Sequence, residues 1–153
     1  MTVIWMSLVH TNDSYSAILR LLDMGVPRYL ISDALIGVMA QRLVRSLCPY
    51  CRGEDKIKEE YNLLNIPKGN RIYKAIGCTR CNNTGYKGRM VISEILSIDS
   101  KLRERIINCN SIDELRLHSL TNKMTLLKDN CVSLILEGRT TVEEYNRVVF
   151  SSY

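Results

Sequence analysis

The chain has 153 residues, 46% hydrophobic and 24% charged, with a formal net charge of +5. That balance excludes a disordered or fibrous chain and suits one modest globular domain, or one domain with part of another. The charge excess is too small and dispersed to argue for nucleic-acid binding by itself, and no apolar run approaches the ~18–20 residues that span a bilayer. No secretory signal opens the chain, so a cytosolic, reducing setting is expected, in which six cysteines read as thiols or metal ligands rather than disulfides.

Val3 to Val9 is a nearly continuous apolar run with β-branched residues, which predicts a strand buried on both faces. Such strands belong to parallel sheets covered by helices. Nothing precedes this strand to pair with it, so the sequence is expected to begin partway through a larger α/β domain. His10-Thr11-Asn12-Asp13 then stands at the carboxyl end of the strand, the edge where open α/β sheets bind ligands. Ala17, Ile18, Leu21, Leu22 and Met24 recur at helical spacing, with Asp13 or Ser14 as N-cap and Gly25 as the stop. After Pro27, residues 29 to 36 fit a second short helix. Leu43 to Leu47 alternates as a strand that delivers Cys48.

Two C-x-x-C pairs follow, Cys48-Pro49-Tyr50-Cys51 and Cys78-Thr79-Arg80-Cys81. Two such pairs in one chain read as a tetrahedral Cys₄ zinc site, each pair gripping the ion from a tight knuckle. Two intervening residues let both thiolates of a pair converge while backbone N–H groups turn toward the sulfurs. A redox dithiol would come as a single pair beside a βαβ pattern. Cys109 and Cys131 stand apart and read as small core residues. Between the pairs, Glu54 to Tyr61 is charged with little apolar periodicity, and Ile72 to Ile76 predicts a strand feeding the second knuckle. Residues 89 to 96 predict another strand, pairing back near 41 to 47.

The remainder reads as helical. Asp99 caps a helix through Ile107, and Ser111 with Glu114 forms a capping box. Met124, Leu127, Cys131, Leu134 and Ile135 form an apolar stripe ending at Gly138, and Thr141 with Glu144 forms a second capping box. The expected division is 1–47, the end of an α/β core; 48–96, a zinc subdomain; and 97–153, an all-α subdomain. Loss of one ligand, as in Cys78→Ser, is expected to unfold residues 48 to 88 and spare the closing helices.

Four stretches together carry a resemblance: His10 to Asp13, Arg20 to Val26, Ala40 to Cys51 and Gly77 to Arg89, with Leu136 to Glu144 closing the order. They resemble the type II secretion assembly ATPases and the related type IV pilus extension ATPases. The resemblance implies an α/β remnant from the end of a RecA-like P-loop ATPase sheet, then a Cys₄ zinc subdomain and helices. It implies that His10 falls on the family's phosphate-sensing histidine and that Cys48, Cys51, Cys78 and Cys81 are its zinc ligands. It further implies a cytoplasmic homo-hexamer, peripheral to the inner membrane and docked on secretion or pilus platform proteins, with ATP and Mg²⁺ bound in the full-length protein.

A Walker A loop, G-x-x-x-x-G-K-[ST], is absent from the 153 residues, and so are the family's acidic boxes. Phosphoryl transfer needs a phosphate cradle, a Lys and a held Mg²⁺, so this chain alone is not expected to hydrolyse ATP. His10 without them is a polar strand end. Val91, Ser93 and Asn130 depart from the family's usual Gly, Tyr and Gly, which puts local turn geometry in question. Arg42 and Arg45 read as a solvated strand edge, with a neighbouring subunit as the alternative they face; Glu143-Glu144 reads as a helix first turn, Glu59-Glu60 as a solvated face and His118 as an ordinary helix residue. The alternative is a stand-alone zinc-ribbon adaptor that binds nucleic acid or protein through Lys68, Arg71, Lys74, Arg80, Lys87 and Arg89. Its basic stretch holds only Tyr73 and Tyr86 for base stacking, so no nucleic-acid partner is expected.

Overall fold

A computed structural model describes Leu8, residues 11–57, Tyr61, Leu64, Ile66, residues 69–108, Glu114, Leu115 and residues 124–149. The expected strand over 3–9 (Leu8 apart), His10, Glu59-Glu60, Lys68, Cys109, His118 and the Ser111 half of its capping box lie outside them. The described chain is mixed α/β. Strand β1 (Gly37–Leu47) pairs with β4 (Tyr86–Ser97), and between them β2 (Arg52–Asp55) pairs with β3 (Ile72–Ala75), each couple a two-stranded sheet. Helices α1 (Ser14–Asp23) and α2 (Arg28–Ala34) precede β1, and α3 (Ser100–Asn108), α4 (Leu127–Leu136) and α5 (Val142–Val148) follow β4. No described helix is long and apolar enough to cross a membrane. Contacts divide the chain into two units, Met1–Ala40 with Glu94–Met124, and Gln41–Ser93 with Thr125–Tyr153.

In the first unit, Asp13 caps α1 by accepting the Ser16 N–H at 2.6 Å. Glu94, almost fully buried, accepts both the backbone N–H and the hydroxyl of Ser14 at 2.8 Å. A carboxylate against the first turn satisfies donors that no helical carbonyl can reach and complements the helix dipole. Ile18, Ile31, Leu96, Leu102, Ile106 and Leu115 close the core around this helix. Helices α2 and α3 exchange caps: Arg103 of α3 donates to the carbonyls of Ser32, Asp33 and Leu35, and Arg28 of α2 donates to the carbonyl of Ile106. Asp99 caps α3 by accepting the Leu102 N–H at 2.8 Å, as its position predicts. Glu94→Ala would strand the buried Ser14 N–H and is expected to cost about 2–3 kcal/mol. Glu94→Gln, which keeps an acceptor, should cost less; urea midpoints of the two variants check the order.

In the second unit, β2 was not foreseen. Arg52-Gly53-Glu54-Asp55 carries no apolar alternation, and it is extended because it pairs antiparallel with β3, Arg52 opposite Ala75 through Asp55 opposite Ile72. Helix α4 buries Leu127, Cys131, Leu134 and Ile135, the stripe expected from sequence, so Cys131 is a core residue. Asn130 lies inside this helix rather than at a turn, and its amide donates to the Ser93 carbonyl at 3.2 Å. Thr141 caps α5 by accepting the Glu144 N–H at 3.2 Å. Only that half of the predicted capping box forms, because the Glu144 carboxylate is committed to two arginines. The closing helices are shared out: α3 belongs to the first unit and α4 and α5 to the second.

Candidate metal centre

Strand β1 ends at Leu47, and the chain turns at once into the first knuckle. The Arg52 N–H, with the Cys51 N–H at a longer reach, bonds the Cys48 carbonyl, closing a turn that brings the first two sulfurs together. The second pair is held by a short 3-10 turn, Thr79–Cys81, followed by Asn82 and Asn83 in the left-handed region at φ +52° and +59°. Asparagine tolerates that backbone better than most residues. The Cys48 N–H donates to the Gly85 carbonyl at 2.9 Å, tying one knuckle to the other.

All four sulfurs lie within 4.8 Å of one another. Cys48 and Cys78 are 4.0 Å apart, Cys51 and Cys81 3.7 Å, and Cys78 and Cys81 3.8 Å. Sulfurs arranged tetrahedrally about 2.3 Å from a central ion stand about 3.8 Å apart, so these three edges fit a Cys₄ cage. The shell around them fits too. Backbone N–H groups of Cys78 and Gly85 each donate to Cys81 Sγ at 3.2 Å, the bonds that steady a thiolate ligand. Burial pushes Cys81 up, but those two N–H groups outweigh it and hold the thiol down to about 6; burial pushes Cys51 up to about 12.

Gly85 is a tight point beside the cage. Its φ is +75°, and a Cβ there would sit 2.5 Å from the Ala75 Cβ and 2.9 Å from its Cα. Gly85→Ala combines left-handed strain with that overlap and is expected to cost about 2 kcal/mol or more. Competition with a coloured chelator should show it as weakened metal retention.

A second constellation in the same unit escaped sequence reading. Glu144, with no exposed side-chain surface, accepts from the Arg45 backbone N–H at 2.8 Å, Arg45 Nε at 2.7 Å and Arg45 Nη2 at 2.6 Å. It also accepts from Arg147 Nε at 2.9 Å and Nη2 at 2.7 Å. Arg45 lies 4.1 Å from the centre of the Tyr86 ring, and the Tyr86 hydroxyl bonds Thr141 at 2.9 Å. Arg45 is thus an anchored residue and not the solvated strand edge expected. Burial pushes the Glu144 carboxyl up, but the two arginines prevail and hold it down to about 2. Arg45 is 99 positions from Glu144, so no local signal announces that pair, whereas Arg147 stands three positions away on the same helix.

The family described as "Type II/IV secretion system protein" matches residues 3–147. The chain is 38% identical over 147 residues to the type II secretion system protein E of Aeromonas hydrophila, covering 94% of this chain and 29% of that protein. It is 42% identical over 141 residues to the type IV pilus assembly ATPase PilB of Thermus thermophilus, covering 89% of this chain and 16% of PilB. Against the type II secretion system ATPase E of Vibrio cholerae it is 37% identical over 150 residues, 96% of this chain and 30% of that protein. The chain therefore spans less than a third of the length of these relatives. With the match running through both cysteine pairs and nearly end to end, the chain belongs to the type II/IV secretion system protein family.

Proposed function

We propose that this chain is the zinc-bearing C-terminal portion of an assembly ATPase that powers type II secretion or type IV pilus construction. The observation that carries the reading is the four-sulfur cage, set in a chain whose family match runs through both knuckles. Cys48, Cys51, Cys78 and Cys81 hold a structural Zn²⁺, which when bound neutralises the thiolates and locks residues 48–96 as one subdomain. Residues 1–47 are the end of a RecA-like core, and His10 takes the phosphate-sensing role that the family resemblance implies in the full-length protein. Hydrolysis resides in a hexamer that also contains a Walker A half, peripheral to the inner membrane and seated on platform proteins. Purified chain mixed with ATP and Mg²⁺ should release no phosphate. A chimera carrying this chain in place of the matching segment of the Aeromonas hydrophila protein should hydrolyse ATP as an oligomer. Turnover by the chain alone, or a folded, metal-loaded chimera that neither assembles nor hydrolyses ATP, contradicts the reading.

A further inference from the structure

Beside the Arg45–Glu144–Arg147 cluster lies a cavity of about 430 Å³, lined by Leu43, Arg45, Arg89 and Arg147. All four residues belong to the second unit. We propose that this cavity binds a phosphate-class oxyanion, a diphosphate or a phosphate ester, between three guanidinium groups. The proposal goes beyond the assembly-ATPase reading and stands on this cavity alone.

Three like charges around one space would repel one another and spread into solvent. Here the Glu144 carboxylate sits behind two of them and takes Nε and Nη2 of each. Arg147 forks across both carboxylate oxygens and Arg45 brings two donors to Oε1, which holds both guanidinium planes in advance and removes much of the ordering cost of binding an anion. Among the described residues, Nη1 of Arg45 and Nη1 of Arg147 make no hydrogen bond, and the two side chains keep 43% and 54% of their surface exposed. The Tyr86 ring under Arg45 adds a stacking constraint without using a donor. Arg89 of β4 lines the same cavity, and its side chain has no hydrogen bond or ion pair among the described residues.

Glu144 pairs with two of the three lining guanidiniums, and Glu143 is the next carboxylate, beyond the Tyr86 hydroxyl at 3.4 Å, so the lining with Glu144 carries an excess of two positive charges. A single carboxylate ligand would neutralise one of them. A phosphate-class group brings about two negative charges and three acceptor oxygens, matching the remaining charge and the number of guanidinium planes. The volume lies within the ~300–1,000 Å³ of small-ligand pockets, and Leu43 supplies an apolar wall for what the phosphate is attached to. The phosphate can come from a soluble ester or from a lipid headgroup, and the two sources separate by experiment.

The test uses the full 153-residue chain, zinc-loaded. Titration calorimetry with inorganic pyrophosphate should show saturable one-to-one binding that weakens as salt rises. Arg89→Gln removes a side chain without a partner here, so the fold should stand while affinity falls by roughly tenfold or more. Arg147→Lys keeps the charge but loses the fork and should also bind more weakly, whereas Arg71→Gln, remote from the cavity lining, should bind as the parent does. Sedimentation with phosphatidylcholine vesicles, with and without phosphatidylglycerol, assigns the source. Arg89-dependent sedimentation with the anionic vesicles only supports a lipid phosphate; pyrophosphate binding without it supports a soluble ester. The proposal is overturned if neither probe binds saturably, if Arg89→Gln leaves binding unchanged, or if a polyglutamate peptide binds there more tightly than pyrophosphate.

Discussion

Stripping the proposed zinc from the four-cysteine centre is expected to release backbone protection at residues 138–148 as well as in the knuckles and β2–β3. Three bonds lead from the cage to that segment. The Leu47 N–H donates to the Arg139 carbonyl at 2.8 Å, the Thr140 hydroxyl donates to the Arg45 carbonyl at 2.8 Å, and Arg52 Nη1 donates to the Gly138 carbonyl at 2.8 Å. The Tyr73 ring closes on Gly138 so tightly that a Cβ there would stand 2.7 Å from it. Without the ion, the thiolates repel or take up protons, and a hairpin of two four-residue strands is too small to persist alone. Structural Cys₄ zinc contributes on the order of 10 kcal/mol or more of apparent folding energy, well above what these hydrogen bonds can replace. The sequence alone suggested that Cys78→Ser would spare the closing helices; these contacts argue that α5 and the end of α4 loosen with the knuckles. Hydrogen exchange by mass spectrometry, metal-loaded against chelated, decides it. Unchanged protection at 138–148 after zinc removal would show that the bonds do not transmit the loss. Arg52→Ala should loosen 138–140 while the loaded cage stays protected.

Glu144→Ala should be the most destabilising substitution outside the cage, by about 3–5 kcal/mol, the usual cost of removing one member of a buried ion pair. The estimate belongs at the lower end, because Arg45 and Arg147 are partly exposed and can turn to water. The Arg45 backbone N–H cannot follow them, and it loses its acceptor. The same group sets an acid limit. Its carboxyl titrates at about 2 in the folded chain against an ordinary 4.5, so the unfolded state binds the extra proton between those values. The stability that Glu144 contributes is full above about pH 4.5 and is lost as pH falls toward 2. Glu144→Gln should flatten the slope of stability against pH in that window. An unchanged slope, measured by urea unfolding at fixed pH steps, would mean the carboxylate is not held by the arginines in solution.

What could be seen in the sequence was local. The two C-x-x-C pairs carry their spacing with them, and the caps at Asp13, Asp99 and Thr141 act within three residues of themselves. The apolar stripe repeats at helical period, and α4 buries Leu127, Cys131, Leu134 and Ile135 of it, while Met124 lies before the helix and is half-buried. What could not be seen depends on distant partners. β2 is extended because of β3, not because of its own composition. Ser14 meets Glu94 across 80 positions, and Arg45 meets Glu144 across 99. A polar side chain on a strand reads as solvated until its partner is known, so Arg45 reads as a strand edge, and Glu144 reads as a helix first turn without its arginines. The second capping box half-fails for the same reason: five donors from two arginines outcompete one backbone N–H for the carboxylate.

The direct test of the metal centre is X-ray absorption at the zinc edge on chain purified under reducing conditions, with the metal content of the same sample. One zinc per chain, surrounded by four sulfurs at about 2.3 Å, is the expected result. Chain that is folded, reduced and free of metal, or zinc bound through nitrogen or oxygen donors, would contradict it.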